Sequence, residues 1–366
     1  MVMRKGLYTP GMCRSTVVIG IAAVCLANVQ VHAAAGPTWG VAQTVEPADA
    51  LQSAREPSFA EWLEAVRAEA LARGRRPETV DEALGGIDAP LTVIVERDRT
   101  QAETVQTLEA YVSRRLTPGI VRTGRQMLER HRAVLAQVSE AYGIPTSIIV
   151  SIWGLESNFG RFSGLRPTVS ALVTLAWDSR RSALFRRELF DALEILDRGE
   201  IDFARLRGSW AGAMGQPQFM PSSYLQYAVD FDGDGRRDIW SSPGDVFASI
   251  ANYLKGYGWI SGQRWGREVA VPAEATQRIA ADVGKRSGSC QAKRDMSVPL
   301  PLKEWQQLGV RLPGGDALPS VDVTASLVTG ASRRFLVYDN YDALLAYNCA
   351  HAYAVSVALL ADRLGS

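Results

Sequence analysis

Apolar side chains return every three or four positions along much of the chain, the spacing that gathers them on one face of an α-helix. The first clear case follows Pro57: Ser58 and Glu61 form a capping box, Phe59, Trp62, Leu63, Val66 and Ala70 make the stripe, and Gly74 stands where the helix would stop. The same period predicts helices over 78–84, 102–115, 119–142, 182–198, 245–257 and 353–364. A further helix starts after Gly143-Ile144-Pro145 and runs through Ile148, Ile149, Ile152 and Trp153 to Glu156. Runs rich in β-formers come late and are short, at 269–271, 321–328 and 335–338, broken by Gly and Pro. The predicted fold is therefore mainly α (α+β), with a small β-containing subdomain at about 260–340 placed before the last helix.

The first 35 residues follow another pattern. Arg4, Lys5 and Arg14 precede an uncharged apolar stretch over 15–29, and Val31-His32-Ala33 offers small residues for cleavage near 33–35. This predicts a secretory signal peptide, because the apolar core is shorter than the roughly 20 residues of a spanning helix. Ala22-Ala23-Val24-Cys25 lacks the Leu that heads a lipidation signal, so an exported, periplasmic protein is expected ahead of a lipid-held one. The segment 36–56 is polar and aperiodic and reads as a flexible leader, leaving 57–366 as the folded domain.

Composition narrows the classes of function. Apolar residues make up 47% of 366, enough for a sizeable core, and 32 Gly with 17 Pro are too few for a low-complexity chain. Forty basic residues against 39 acidic ones leave +1, and loss of the three leading basic residues turns +1 into −2. No basic surplus exists to hold nucleic acid. Only His131 and His351 remain in the mature chain, and no zinc spacing, nucleophile elbow or phosphate-binding Gly motif occurs. Removal of the signal also takes Cys13 and Cys25, leaving Cys290 and Cys349 in an oxidising compartment, either as a disulfide or as two separate buried thiols.

Three segments carry candidate chemistry. Glu156 closes an apolar helix beside Trp153, Leu155 and Phe159, and desolvation of that kind raises a carboxyl toward the range of a general acid. The segment from Gly208 to Tyr224 is rich in small residues that let a ligand approach the backbone. Within it Ser209, Gln216 and Gln218 offer neutral donors and acceptors for sugar hydroxyls and acetamides. Next, Asp230-x-Asp232-x-Asp234-Gly235-Arg236-x-Asp238 has the spacing of an EF-hand-type cation loop, with Arg236 supplying a backbone carbonyl. Position twelve is Ser241 instead of a bidentate Glu, which predicts weak affinity or a last ligand brought from elsewhere or by water.

Taken together, Trp153-Gly154-Leu155-Glu156-Ser157-Asn158-Phe159-Gly160, the Gly208 to Tyr224 segment and the Asp230 loop resemble the lytic murein transglycosylase B family of the lysozyme-like superfamily. The resemblance runs from about Pro57 to Leu364. It implies a lysozyme-like helical domain that cleaves the β-1,4 bond between N-acetylmuramic acid and N-acetylglucosamine, leaving 1,6-anhydromuramoyl ends. It places the single acid/base at Glu156, sugar contacts at Ser209 and Gln218, and a basic pair near the peptide stem at Arg180 and Arg181. Tyr111, Tyr347, Asn348 and Tyr353 match groove residues of the family. Pro217 stands where Gly is common in the family, and Cys349 where a hydrophilic residue is usual. The chemistry would need no cofactor, with Ca2+ or Na+ serving only to brace the Asp230 loop. Glycan strands are the expected partner, other cell-wall enzymes a further one, and a monomer the expected state. A hydrolytic muramidase using Asp178 as second carboxylate, or a non-catalytic murein-binding protein, are the competing readings.

Overall fold

The computed structural model of the protein describes residues 57–101, 106–179 and 182–365. The predicted signal peptide, leader and the Arg180-Arg181 pair lie outside these residues. The described chain is mostly helical with small antiparallel sheets, the class its periodicity predicts.

Three apolar cores organise it. The first helices, Phe59–Ala72 and Pro77–Leu84, bury Leu63, Val66, Val80 and Leu84 against Thr168–Trp177 and Ser182–Asp197. The Ser58–Glu61 capping box closes in both directions at the start of the first of them. A larger core gathers Leu108–Arg115, Thr146–Ser157, Pro243–Gly256, Asn340–Tyr347 and His351–Leu364. The third belongs to the β-containing part, a four-stranded sheet in the order Gly266–Val269, Arg334–Val337, Thr324–Thr329, Leu300–Pro301. There Trp305 is fully buried and donates its indole N–H to the Ala325 carbonyl at 2.8 Å.

The region 119–142, which reads as one helix, is two: Pro118–Arg130 and Arg132–Tyr142. The chain turns at His131 (φ −108°, ψ 20°), whose ring meets the edges of Trp153 and Phe247 at 5.6 and 5.4 Å. Both halves turn apolar residues to the same core, so the sequence period passes through the bend without a break. Thr168–Trp177 left no period either, because eight of its ten residues are buried and no polar face contrasts with the apolar one. Cys290 and Cys349 are joined as a disulfide with Cα atoms 5.8 Å apart, tying the β-containing part to the start of the last helix.

Candidate active site

Glu156 lies in the last turn of Thr146–Ser157, a helix whose other residues from Ile148 to Ser157 are all buried. The chain leaves that helix through three successive left-handed residues, Asn158 (φ 51°), Phe159 (φ 59°) and Gly160 (φ 78°). Left-handed backbone costs a non-glycine residue about 1–2 kcal/mol, so packing has to hold Phe159 there. Its ring lies against Gly154, where any Cβ would come within 2.6 Å of it, and meets the Trp153 ring edge-on at 5.6 Å. Hydrogen bonds finish the turn: the Trp153 carbonyl accepts from Ser157 Oγ at 3.0 Å and from the Phe159 N–H at 3.4 Å, and Ser157 Oγ accepts from the Gly160 N–H at 3.0 Å.

Glu156 keeps a partial opening to solvent, yet burial pushes its carboxyl up to about 7. Two groups oppose the rise without cancelling it, the Tyr353 hydroxyl and the Arg115 guanidinium. The Tyr353 hydroxyl is buried and has no hydrogen bond of standard geometry, so its hold on Glu156 is a loose one. Arg115 donates Nη2 to the Leu155 carbonyl, which keeps its charge beside the helix end. Tyr347 stacks on Tyr353 with ring centroids 6.3 Å apart, and its hydroxyl donates to the Pro217 carbonyl at 2.7 Å. Both phenols sit well above their ordinary range, first through burial and then because an ionised Glu156 opposes a second negative charge. Tyr111 acts on Tyr353 in the same way, which brings it into the cluster.

The Gly208 segment forms the facing wall. A short antiparallel pair, Arg166–Pro167 with Arg207–Gly208, fastens it to the chain that follows Glu156, and Gly164 packs so closely on Gly208 that a Cβ would lie 2.1 Å from its carbonyl carbon. Ser209 Oγ accepts the Ala211 and Ala213 N–H groups at 3.2 and 3.1 Å, which leaves its own proton to donate. Gln218 is left-handed (φ 55°) and donates Nε2 to Gly215 at 2.9 Å and toward Ser163 at 3.4 Å, its carbonyl oxygen remaining for a ligand. Gln216, grouped by sequence with the sugar-facing amides, is spent on bonds inside the protein. Asn348 is exposed at the end of Asn340–Tyr347.

The acidic loop follows this wall after the short helix Pro221–Tyr227. Asp230 accepts the Gly233, Asp234 and Gly235 N–H groups, and Asp234 accepts that of Arg236. Asp238 takes the Trp240 and Ser241 N–H groups, while Ser241 Oγ donates to its other oxygen. One oxygen each of Asp230, Asp232 and Asp245 fall within 4.8 Å of one another, a hard-oxygen set suited to calcium or sodium. Asp245 is fully buried and accepts the Phe231 and Asp238 N–H groups at 2.8 and 2.7 Å. It lies past position twelve, where loop spacing gave no reason to look. Arg115 likewise has no motif, and only its packing beside Leu155 brings it to the site.

A raised carboxyl at the end of a buried helix, faced by tyrosines and a small-residue wall, defines a class of lysozyme-like glycan-cleaving fold. The profile of the transglycosylase SLT domain matches residues 58–362, and the chain belongs to that family. It is 42% identical over 164 residues to membrane-bound lytic murein transglycosylase B of Escherichia coli (strain K12), a stretch spanning 44% of this chain and 44% of that protein. SltB3 of Pseudomonas aeruginosa, solved in complex with NAG-anhNAM-pentapeptide, is 41% identical with a TM-score of 0.76, over 84% of this chain and 80% of that one. The Escherichia coli lytic transglycosylase Slt35, solved in complex with calcium, is 27% identical with a TM-score of 0.68, over 83% and 92%.

Proposed function

We propose that this chain is a lytic murein transglycosylase in which Glu156 is the only acid/base. The observation that carries the reading is the Glu156 carboxyl at about 7, with Tyr353 and Arg115 as the groups that act on its titration and no second carboxylate among them. A retaining or inverting hydrolase needs two carboxylates. Asp178, the one candidate for a partner, caps Thr168–Trp177 and lines a separate cavity with Pro57, Pro90 and Trp177.

The protonated Glu156 donates to the glycosidic oxygen, and the bond from that oxygen to muramoyl C1 breaks. The N-acetyl oxygen of the same sugar stabilises the cationic centre. The C6 hydroxyl then attacks C1 and gives its proton to the Glu156 carboxylate, closing the 1,6-anhydro ring and restoring the acid. No water is consumed, and an intramolecular nucleophile carries a high effective molarity. Arg115 and Tyr353 stabilise the carboxylate between the two transfers, while Ser209, Gln218, Tyr111, Tyr347 and Asn348 line the glycan; Arg180 and Arg181, outside the described residues, supply the positive charge expected for a peptide stem.

Asp230, Asp232 and Asp245 would hold a structural calcium ion, with Asp234, Arg236 and Asp238 shaping the loop around it, and the ion braces the wall without entering the chemistry. Calcium in Slt35 supports this. The protein is exported and acts on glycan strands in the periplasm; no single helix among the described residues is long and apolar enough to cross a membrane. Mass spectrometry of fragments released from purified sacculi tests the reaction: products one water lighter than reducing muropeptides support it. Reducing ends would mean a hydrolase, and binding without release a murein-binding protein.

A further inference from the structure

We propose that Gln216 is a positioning residue for Glu156, holding the end of the acid's helix against the acidic loop through the Trp153 indole. The inference rests on the role given to Glu156 above. Gln216 uses every polar group that can reach across. Its Oε1 accepts the Trp153 indole N–H at 2.7 Å, its Nε2 donates to the Trp240 carbonyl at 2.8 Å, and its backbone N–H donates to the Ile239 carbonyl at 2.9 Å. Ile239 and Trp240 are positions ten and eleven of the acidic loop, and Trp153 precedes Glu156 by about one helical turn.

Two glycines are needed for this bridge. A Cβ at Gly160 would lie 2.5 Å from Gln216 Oε1, and one at Gly215 would lie 2.7 Å from the Ile239 side chain. Gly160 is itself part of the left-handed turn that follows Glu156, so the bridge touches that turn on both sides. Trp153 is buried at 4% exposure, and its carbonyl takes the two bonds that close the turn. An indole released from Gln216 is left with a buried, unpaired N–H, which favours tilting the ring or admitting water. Either change loosens the packing that keeps the carboxyl of Glu156 dry.

Two variants break the indole bond from opposite sides: Gln216→Met removes the acceptor, and with it the Nε2 bond to Trp240, while Trp153→Phe removes the donor alone. Each is compared with the parent by carbon-13 titration of the Glu156 carboxyl, assigned with Glu156→Gln, and by kcat and KM on soluble glycan strands. The expected result is a titration midpoint at least half a pH unit lower in each, kcat down tenfold or more, and KM changed less than twofold. The double variant should move the midpoint no further than the larger single change, because the bond lost in Trp153→Phe is already lost in Gln216→Met. A folded Gln216→Met protein with an unmoved midpoint and only a lower Tm would overturn the proposal, as would shifts that add. If Gln216→Met does not fold, Trp153→Phe decides alone by the same midpoint. The titration needs no turnover, so a parent that releases nothing from sacculi counts against the proposed reaction and leaves the positioning test standing.

Discussion

Glu109 lies near the surface at the start of Leu108–Arg115, Glu156 is enclosed at the end of Thr146–Ser157, and the two titrate in opposite directions. Burial raises both. At Glu109 three backbone N–H groups of the turn joining two sheet strands, from Ala331, Ser332 and Arg333, point at the carboxylate at 2.8–3.2 Å and pull it down to about 2. At Glu156 the backbone offers nothing, and a phenol and a guanidinium recover only part of the desolvation, leaving the carboxyl at about 7. What separates a permanently charged clamp from an acid that exchanges its proton near neutrality is depth together with the supply of donors: Glu109 meets three N–H groups near the surface, and Glu156 is enclosed with few donors to offset its burial. Loops have free N–H groups and helix interiors do not, which is why the clamp sits on a turn and the acid at the end of a helix.

The largest expected effect removes the acid. Glu156→Gln keeps the shape of the site and loses the proton, so turnover on sacculi should fall at least about 10³-fold, within the range general acid catalysis supplies. In the parent, kcat/KM should decline above pH 7, where Glu156 loses the proton it must donate. A parent rate flat from pH 6 to 9 would break the contrast between the two glutamates.

The same substitution should also change stability, and with a sign that depends on pH. A folded-state pKa above the unfolded one means the folded chain holds the proton more tightly, so stability is lost as pH rises from about 4.5 to about 7. Above that window the charged, dry carboxylate costs on the order of 3 kcal/mol. Glu156→Gln should therefore raise Tm at pH 8 and have little effect at pH 4, read by thermal denaturation at both values. A Tm difference independent of pH would mean that burial is not what lifts Glu156.

Much of this contrast was legible before folding. Trp153, Leu155 and Phe159 around Glu156 announced an apolar setting, and the structure makes desolvation the leading cause of its shift. The spacing of Asp230, Asp232 and Asp234 announced a loop. Arg115, Asp245 and the N–H donors of 331–333 were not legible, since each reaches its site by packing of chain well separated in sequence: 14 residues for Asp245 and Phe231, 40 for Arg115 and Leu155, and 223 for Ser332 and Glu109. The bend at His131 was hidden because both flanking helices face one core. Gln216 was visible but misjudged: its amide has the chemistry of a sugar contact, and only the closeness of Trp153 and Trp240 shows that it is taken.

Tyr353→Phe sharpens the comparison by taking one donor from the site that has few. The Tyr353 hydroxyl favours the charged form of Glu156, so its loss should move the carboxyl further up and carry the basic limb of kcat/KM with it by about half a pH unit, or about 0.7 kcal/mol. Tyr347 still stacks over the ring, so Tm should change little. A limb that moves down would show that the hydroxyl shields Glu156 from water more than it bonds to it.

The smallest effect belongs to Glu109. Its lowered pKa contributes stability that is fully present above pH 4.5 and is lost as pH falls through about 2. The group is close to the surface, so solvent screening reduces the gain to about 1 kcal/mol. Glu109→Gln keeps one acceptor oxygen but loses the charge, and it turns the other oxygen into an NH2 that cannot accept the N–H groups of the turn. The variant should lower Tm slightly at pH 7 and match the parent near pH 2, while the Glu156 limb stays in place. If that limb moves, the clamp does more than hold the sheet: Glu109 is two residues before Tyr111, and the helix they share would be passing the loss on to Tyr353 and the acid.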